Sequence, residues 1–348
     1  MSKTERSSAS AEPGDAWDAL NRQQRNLPIL DSSFMRLCLT HFGDGTEHYI
    51  EATSAEGGVV AAVVKRIGFG RWQTFQPSQS PLGAMLYSPG VSVESARRAL
   101  FRCLPGSALT LGAYQLDPSI CTRPVDSPTI QTLNYIQTGH FRVERDFEEY
   151  WAARGSNLRQ NLKKQQNRLE KEGRAVQVRI LDAPDDISAA VTAYADLEAR
   201  GWKAALGTSL APGNAQAEFY TAFLRKYAAQ REALILQLIV DDRLMASDLC
   251  VIRAGTLIIA KTTFDESESK LSAAPLMRRL ALPLIRSAHG PLTVEFYGPM
   301  MEWHTKWADD ARWMYHANLD RHSSLRTLRK LIHNTRFILS RPASAASG

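Results

Sequence analysis

The sequence predicts a mixed α/β fold in which antiparallel strand hairpins are flanked by helices. Three observations carry that expectation. Short runs of β-branched and aromatic residues, bounded by Gly, Pro and Asp, recur through the first third of the chain. Three more follow one another at 233–240, 243–252 and 256–264, the first two joined by a tight Asp241-Asp242 turn. Helical periodicities with capping side chains at their starts separate these groups.

Taken in order, residues 1–25 are rich in Ser, Ala, Gln and Asn and read as a disordered segment, as does the tail 340–348. From about Pro28 to Ile136 the pattern favours strands, at 48–53, 58–66, 72–76 and 109–116. One helix interrupts them: Ser92 caps it, Glu94 suits its first turn, and Pro105-Gly106 ends it. Asp146 with Glu149 then fits a capping box ahead of Phe147, Tyr150 and Trp151. Gly155 breaks that helix, Ser156 restarts it, and Gly173 stops it, with Leu158, Leu162 and Leu169 close to one face. The remaining order is strand 176–181, helices 184–200 and 214–229, the three strands already named, helix 274–288, strands 292–297 and 312–318, and helix 324–339.

A chain of 348 residues suggests two domains, and 44% hydrophobic with 22% charged residues is an ordinary globular balance. No internal repeat is visible. Forty-two Lys and Arg against 36 Asp and Glu leave +6, a mild bias towards anionic partners. The four cysteines are scattered without metal-ligand spacing, so no metal is expected. The first ten residues lack an apolar core, and nowhere do eighteen apolar residues run together. A soluble, cytoplasmic protein without a transmembrane segment is the expectation.

Chemistry could sit in three places. Ser272, Ala273 and Ala274 precede Pro275 at a helix start, near Lys270, Arg278 and Arg279. Backbone N–H groups there and the helix dipole make an anion site, although every helix has such an end. Residues 154–174 hold Arg154, Arg159, Lys163, Lys164, Arg168, Lys171 and Arg174 against Glu170 and Glu172. That face could grip phosphates or stand as a solvated helix surface. A second basic stretch, 321–341, interleaves Arg and Lys with Leu325, Leu328, Ile332 and Phe337 and reads as a helix packed on its own domain. Third, V-E-F-Y-G-P-M-M-E-W-H-T-K-W at 294–307 crowds Glu295, Tyr297, Glu302, His304 and Lys306 at one strand end, a set capable of proton transfer. Trp202-Lys203 reads equally well as core or as site. Walker A, G-x-S-x-G, H-E-x-x-H and G-x-G-x-x-G patterns are missing from the sequence, which weakens NTPase, hydrolase, zinc-protease and dinucleotide readings.

Three stretches together resemble the FemAB/CelD-like acetyltransferase family, a branch of the GNAT superfamily. Y-W-A-A-R-G-S-N-L-R-Q-N-L-K-K-Q-Q-N-R-L-E-K-E-G (150–173) is similar to the family's basic helix, and G-W-K-A-A-L-G-T-S-L (201–210) to its W-K-x-x-x-G-T-x-L element. D-D-R-L-M-A-S-D-L (241–249), the run 264–277 and the E-F-Y-G…W loop (295–307) keep the family's order, so that the likeness covers about residues 145–320.

The resemblance implies tandem GNAT-like domains, with mixed, mostly antiparallel sheets flanked by helices: a degenerate one over 26–145 and a catalytic one over 146–339. It implies transfer of an acyl group from acetyl-CoA or a longer acyl-CoA to an amine of an amino sugar, amino acid or peptide. An acyl carrier protein could stand in for coenzyme A.

On that pattern Ser272, Ala273, Ala274, Pro275 and Leu276, with Arg278 and Arg279, hold the pyrophosphate. Lys261, Thr262, Thr263 and Phe264 meet the thioester. Glu295, Tyr297, Glu302 and His304 carry the proton transfers, with a carboxylate or His304 as base through water and Tyr297 protonating the leaving thiolate. Trp202, Lys203, Asp248, Lys306 and Trp307 face the acceptor. Two departures stand out: Ser272-Ala273-Ala274 replaces the family's S-P-G, and Glu295-Phe296-Tyr297-Gly298-Pro299 replaces its D-F-G-x-G. The competing expectations are a ligase using aminoacyl-tRNA, the one nucleic-acid partner in view, and a binding protein without catalysis.

Overall fold

A computed structural model describes residues 12–201, 210–211, 213–268 and 271–325. The expected helix 324–339 lies almost wholly outside them, and the tail 340–348 entirely so.

The segment expected to be disordered from 1 to 25 is ordered over its second half. Helix α1 (Asp15–Gln23) buries Trp17 and Leu20, and the Trp17 indole donates to the Leu30 carbonyl at 2.5 Å. Two large apolar side chains among polar neighbours are enough to dock a nine-residue helix, a signal that composition averages away. A second helix, α2 (Ser32–Phe42), stands where strands were expected; Phe34, Met35 and Cys38 form its buried face.

Strands β1 (Glu47–Thr53), β2 (Val59–Gly68), β3 (Arg71–Thr74) and β5 (Thr110–Leu116) fall where the β-branched and aromatic runs placed them, with the short β4 (Met85–Tyr87) beside β2. Helix α3 (Val93–Cys103) is capped as expected, the Ser92 hydroxyl accepting from the Ser95 N–H at 3.1 Å. The long strand β6 (Ile130–Val143) runs well past the expected Ile136 limit. Helices α4 (Phe147–Ala152) and α5 (Ser156–Lys171) follow, then β7 (Val176–Leu181), α6 (Ile187–Glu198) and α7 (Ala215–Ala228). The chain continues through β8 (Ala233–Val240), β9 (Arg243–Arg253), β10 (Thr256–Phe264), α8 (Ala273–His289), β11 (Leu292–Glu295), the single turn α9 (Glu302–Thr305) and β12 (Asp310–Asp320).

All these strands join one twelve-stranded sheet, whose main path is β1-β2-β3-β5-β12-β6-β11-β10-β9-β8-β7. Its topology repeats. In each half two antiparallel pairings lead to a helix and then to a strand parallel to the third: β1-β2-β3-α3-β5, and β8-β9-β10-α8-β11. This is the expected tandem arrangement, carried by topology without a visible repeat in sequence.

The last strand of each half is exchanged. β6 pairs with β11 of the second half, and β12 pairs with β5 of the first, so the two also lie beside one another. The expected boundary at 145/146 therefore does not coincide with a break in the sheet. Two apolar cores lie on the sheet faces. One holds Phe34, Tyr220, Phe223, Ile258 and Tyr297; the other holds Leu257, Ile259, Leu276, Met277 and Trp307. No helix among the described residues is long and apolar enough to cross a membrane.

Candidate functional site

The sheet opens where β10 and β11 part. Their parallel pairing covers only Thr256–Ile258 against Thr293–Glu295. β11 stops there while β10 runs on to Phe264, held by β9. Within β10 the register against β9 shifts between Ile259 and Lys261. Such a bulge puts two successive side chains on one face and turns the backbone out of its ladder. Here Ala260 packs on the core of Tyr220 and Phe223, and the next residue, Lys261, reaches Glu198 of α6 at 3.3 Å. Thr262 points the other way and accepts from Arg278 of α8 at 2.8 Å.

A cavity of about 270 Å³ fills this opening. Ile258–Lys261 and Phe296–Pro299 form its floor, Tyr220 and Phe223 of α7 one wall. The first half supplies the rest of the lining, with Phe34 packed against Phe223: Ile29, Phe34, the 78–81 loop, Gln115, Tyr135 and Ile136. The first half thus completes the cavity, which its expected degenerate standing did not suggest.

Behind the floor lies a buried polar cluster. Glu295 is 1% exposed and accepts from Arg25 at 2.8 Å on one oxygen and from Arg312 at 3.0 Å on the other. Arg312 also forks onto Asp117 at 2.6 and 2.9 Å. Burial works against the Asp117 carboxylate, but the Arg312 guanidinium outweighs it and holds Asp117 below the usual carboxylate range. Arg312 in turn sits above the ordinary arginine value, since Asp117 and Glu295 outweigh its own burial. The charges balance pairwise, as a buried set must.

Tyr297 joins this cluster to the cavity. Its backbone is left-handed, with φ +47°, uncommon for a bulky residue. Its hydroxyl accepts from Arg25 at 3.3 Å, which leaves its own proton free to point elsewhere. Burial first, and then the negative charges of Glu295 and Asp117, push its pKa well above that of a free phenol, so the group stays protonated.

The other expected catalytic residues lie apart from the cavity lining. His304 is buried; its Nδ1 accepts from the Met301 N–H at 2.9 Å, which assigns the ring proton to Nε2. Burial and the nearby Arg278 lower its pKa to about 4, and it stacks on Trp303 with ring centres 3.6 Å apart. Glu302 and Lys306 are exposed and pair with each other at 3.0 Å. Trp307 is core, 5.5 Å from the Trp151 ring, and its carbonyl accepts from Tyr150 and Arg154. Asp248 is fully buried and forms a two-pronged pair with Arg278 at 2.7 and 2.9 Å. Trp202 and Lys203 lie outside the described residues.

The helix start expected to hold a pyrophosphate is engaged internally. The Ser272 N–H donates to Gln165 Oε1 of α5 at 2.7 Å, and the Ser272 hydroxyl accepts from the Gln165 amide at 2.9 Å and from Asn161 at 3.3 Å. The Ala273 N–H turns back to the Leu271 carbonyl at 2.8 Å, Pro275 has no N–H, and Ala273, Ala274 and Leu276 are buried. Arg278 is spent on Asp248 and Thr262; Arg279 pairs with Glu148 at 2.8 Å beneath the Phe147 and Trp151 rings. In this conformation these residues do not fit a diphosphate. Thr263 is buried and Phe264 half-exposed on the open edge of β10. Sequence reasoning missed Arg25, Asp117, Arg312, Glu198 and Gln165, for each acts through a partner remote in sequence.

Residues 156–305 match the family model described as an acetyltransferase (GNAT) domain. No curated protein matches the chain. Among solved structures it is similar to FemX, with a TM-score of 0.56 at 8% identity over 90% of this chain and 97% of that one. It is also similar to the C-terminal (DUF2156) domain of a putative lysylphosphatidylglycerol synthetase from Agrobacterium fabrum, with a TM-score of 0.53 at 12% identity over 91% and 94%. A conserved protein of unknown function from Bacteroides thetaiotaomicron gives 0.53 at 14% over 87% and 96%. Identities this low report a shared fold.

Proposed function

We propose that this chain, whose residues 156–305 match the acetyltransferase (GNAT) domain and whose fold is similar to that of FemX, moves an acyl group from an activated ester or thioester onto an amine at the opening between β10 and β11. The observation that carries the reading is the coincidence, at one cavity, of a bulged strand edge and a hydroxyl kept protonated by burial. The outward-turned backbone of β10 offers N–H donors to the acyl oxygen as it takes up charge. Tyr297 gives its proton to the departing group. Glu295 works by fixing Arg25 and Arg312 beneath Tyr297, both its oxygens being engaged by guanidinium groups. The amine loses its proton to water before attack.

GNAT domains usually take an acyl-CoA, and acetyl-CoA or a longer acyl-CoA is the first donor to test. A second reading, transfer from an aminoacyl-tRNA, is favoured by one observation: the diphosphate cradle is filled by Gln165, on a helix whose Lys163, Lys164 and Lys171 are exposed. The full-length protein, supplied with each donor and a panel of amines, should yield an amide detectable by mass spectrometry. Tyr297→Phe should lower kcat/KM by about a hundredfold while leaving the unfolding midpoint nearly unmoved. Wild-type rates in that variant would remove Tyr297 from the scheme, and no amide with either donor would sink the reading.

A further inference from the structure

The sheet is open, and its two edges are built differently. β1, at one end, carries Glu47 and Glu51, and Arg102 donates to the Thr53 carbonyl at 2.7 Å. Edge charges and covered main-chain groups keep a sheet from pairing with another chain. β7, at the other end, reads V-Q-V-R-I-L, with β-branched residues at alternate positions, Arg179 its one charge and an unbroken register against β8.

That register decides which groups of β7 are left over. β7 runs antiparallel to β8, with Val176 opposite Val240. One step further, the Asp241 N–H donates to the Ala175 carbonyl at 3.0 Å. Bonded positions alternate in an antiparallel ladder, so Ala175, Gln177, Arg179 and Leu181 turn their main-chain groups to β8. Those of Val176, Val178 and Ile180 turn outwards. They meet no hydrogen-bond partner among the described residues, and Val176 is 40% exposed. Val178 and Ile180 pack partly on the core beneath α8, while Gln177 and Arg179 stand exposed on the other face.

This edge is complementary to itself. Laid antiparallel about Val178, two copies bring Val178 opposite Val178, Val176 opposite Ile180 and Gln177 opposite Arg179. The outward N–H and C=O groups of the three β-branched residues then all gain partners. Their side chains meet on one face, as cross-strand pairs that favour a sheet do. On the other face each Arg179 guanidinium meets an amide oxygen, and within one chain the same two side chains already bond at 3.0 Å. The exposed Asp182 comes opposite Arg174 of the second copy. Sliding by two residues would set Arg179 against Arg179, or Gln177 against Gln177.

Independently of the chemistry at the opening, we infer that β7 is the docking edge for a second copy of this chain, giving a two-fold dimer whose sheet is continuous through β7. One strand edge is a small contact, so the dissociation constant falls in the micromolar range.

Sedimentation equilibrium of the full-length protein from about 1 to 300 µM should show monomer and dimer alone. Val178→Pro deletes an outward N–H, a change that an edge strand tolerates, and should leave a folded monomer by circular dichroism. If that variant does not fold, Val178→Lys, which sets two ammonium groups face to face, should give the monomer. Gln177→Glu should tighten the dimer about fivefold, and Gln177→Lys should loosen it by as much. Val178→Cys should cross-link to its counterpart under mild oxidation, since residues opposed in a bonded pair lie about 5.5 Å apart. Ile180→Cys, placed opposite position 176, should not.

A monomer throughout that range would overturn the inference. So would a dimer that survives Val178→Pro or Val178→Lys, cross-linking through Ile180→Cys in place of Val178→Cys, or species growing beyond two copies, which pairing of β7 with β1 would produce.

Discussion

Arg278 shows how a residue chosen for its charge serves a different end. Its guanidinium is 1% exposed, forked on Asp248, bonded to Thr262 and laid 4.6 Å over the Trp303 ring. It ties β9, β10 and α8 together beside the opening. Arg278→Met should cost about 3–5 kcal/mol in urea unfolding, because Asp248 is left buried and uncompensated. Combining it with Asp248→Leu should recover most of that loss. His304 makes the second prediction at this scale. Its pKa is lowered from 6.5 to about 4, so the unfolded chain takes up the proton first. The stability it contributes is present above pH 6.5 and is lost as the pH falls towards 4, by at most about 3 kcal/mol. Denaturation midpoints at pH 7 and 4.5 should differ in the wild type and converge in His304→Gln.

At the scale of elements, α5 against the start of α8 is the contact with the clearest consequence. The periodicity of Leu158, Leu162 and Leu169 showed which face of α5 would be buried, and all three are. It could not show that Gln165, on the same stripe, would take the Ser272 N–H, since that depends on where α8 begins in space. Gln165→Ala reopens the donor cradle. Coenzyme A affinity measured by calorimetry should then rise at least threefold over wild type, a modest step for one N–H regained. An unchanged or lower affinity would mean that the helix start takes no phosphate even when uncovered.

Across the whole molecule, the exchange of β6 and β12 decides how the halves behave. Residues 146–325 alone lack β6, which lies between β11 and β12 in the sheet, and lack Arg25 and Asp117. That fragment would expose the edges of β11 and β12 and leave Glu295 and Arg312 short of partners. It should aggregate or melt without cooperativity by circular dichroism, whereas the full chain should unfold in one transition. A stable, cooperative fragment would show that the strand exchange contributes little.

Much of this was legible in the sequence. The runs of β-branched and aromatic residues placed β1, β2, β3, β5 and β7 through β10 within a residue or two, because strand-favouring side chains and flanking turn residues act locally. The capping side chains of Ser92 and Asp146 were readable for the same reason. Family likeness along 145–320 added the acyltransferase fold. The sequence did not show that α1 would fold onto the first half and deliver Arg25 to Glu295, that Gln165 would cap α8, or that Phe34 would pack against Phe223 beside the cavity. Each of these joins segments far apart along the chain, and only tertiary packing determines which distant groups meet and which charges lose their water. Local propensity and pattern established the elements; their convergence established the site.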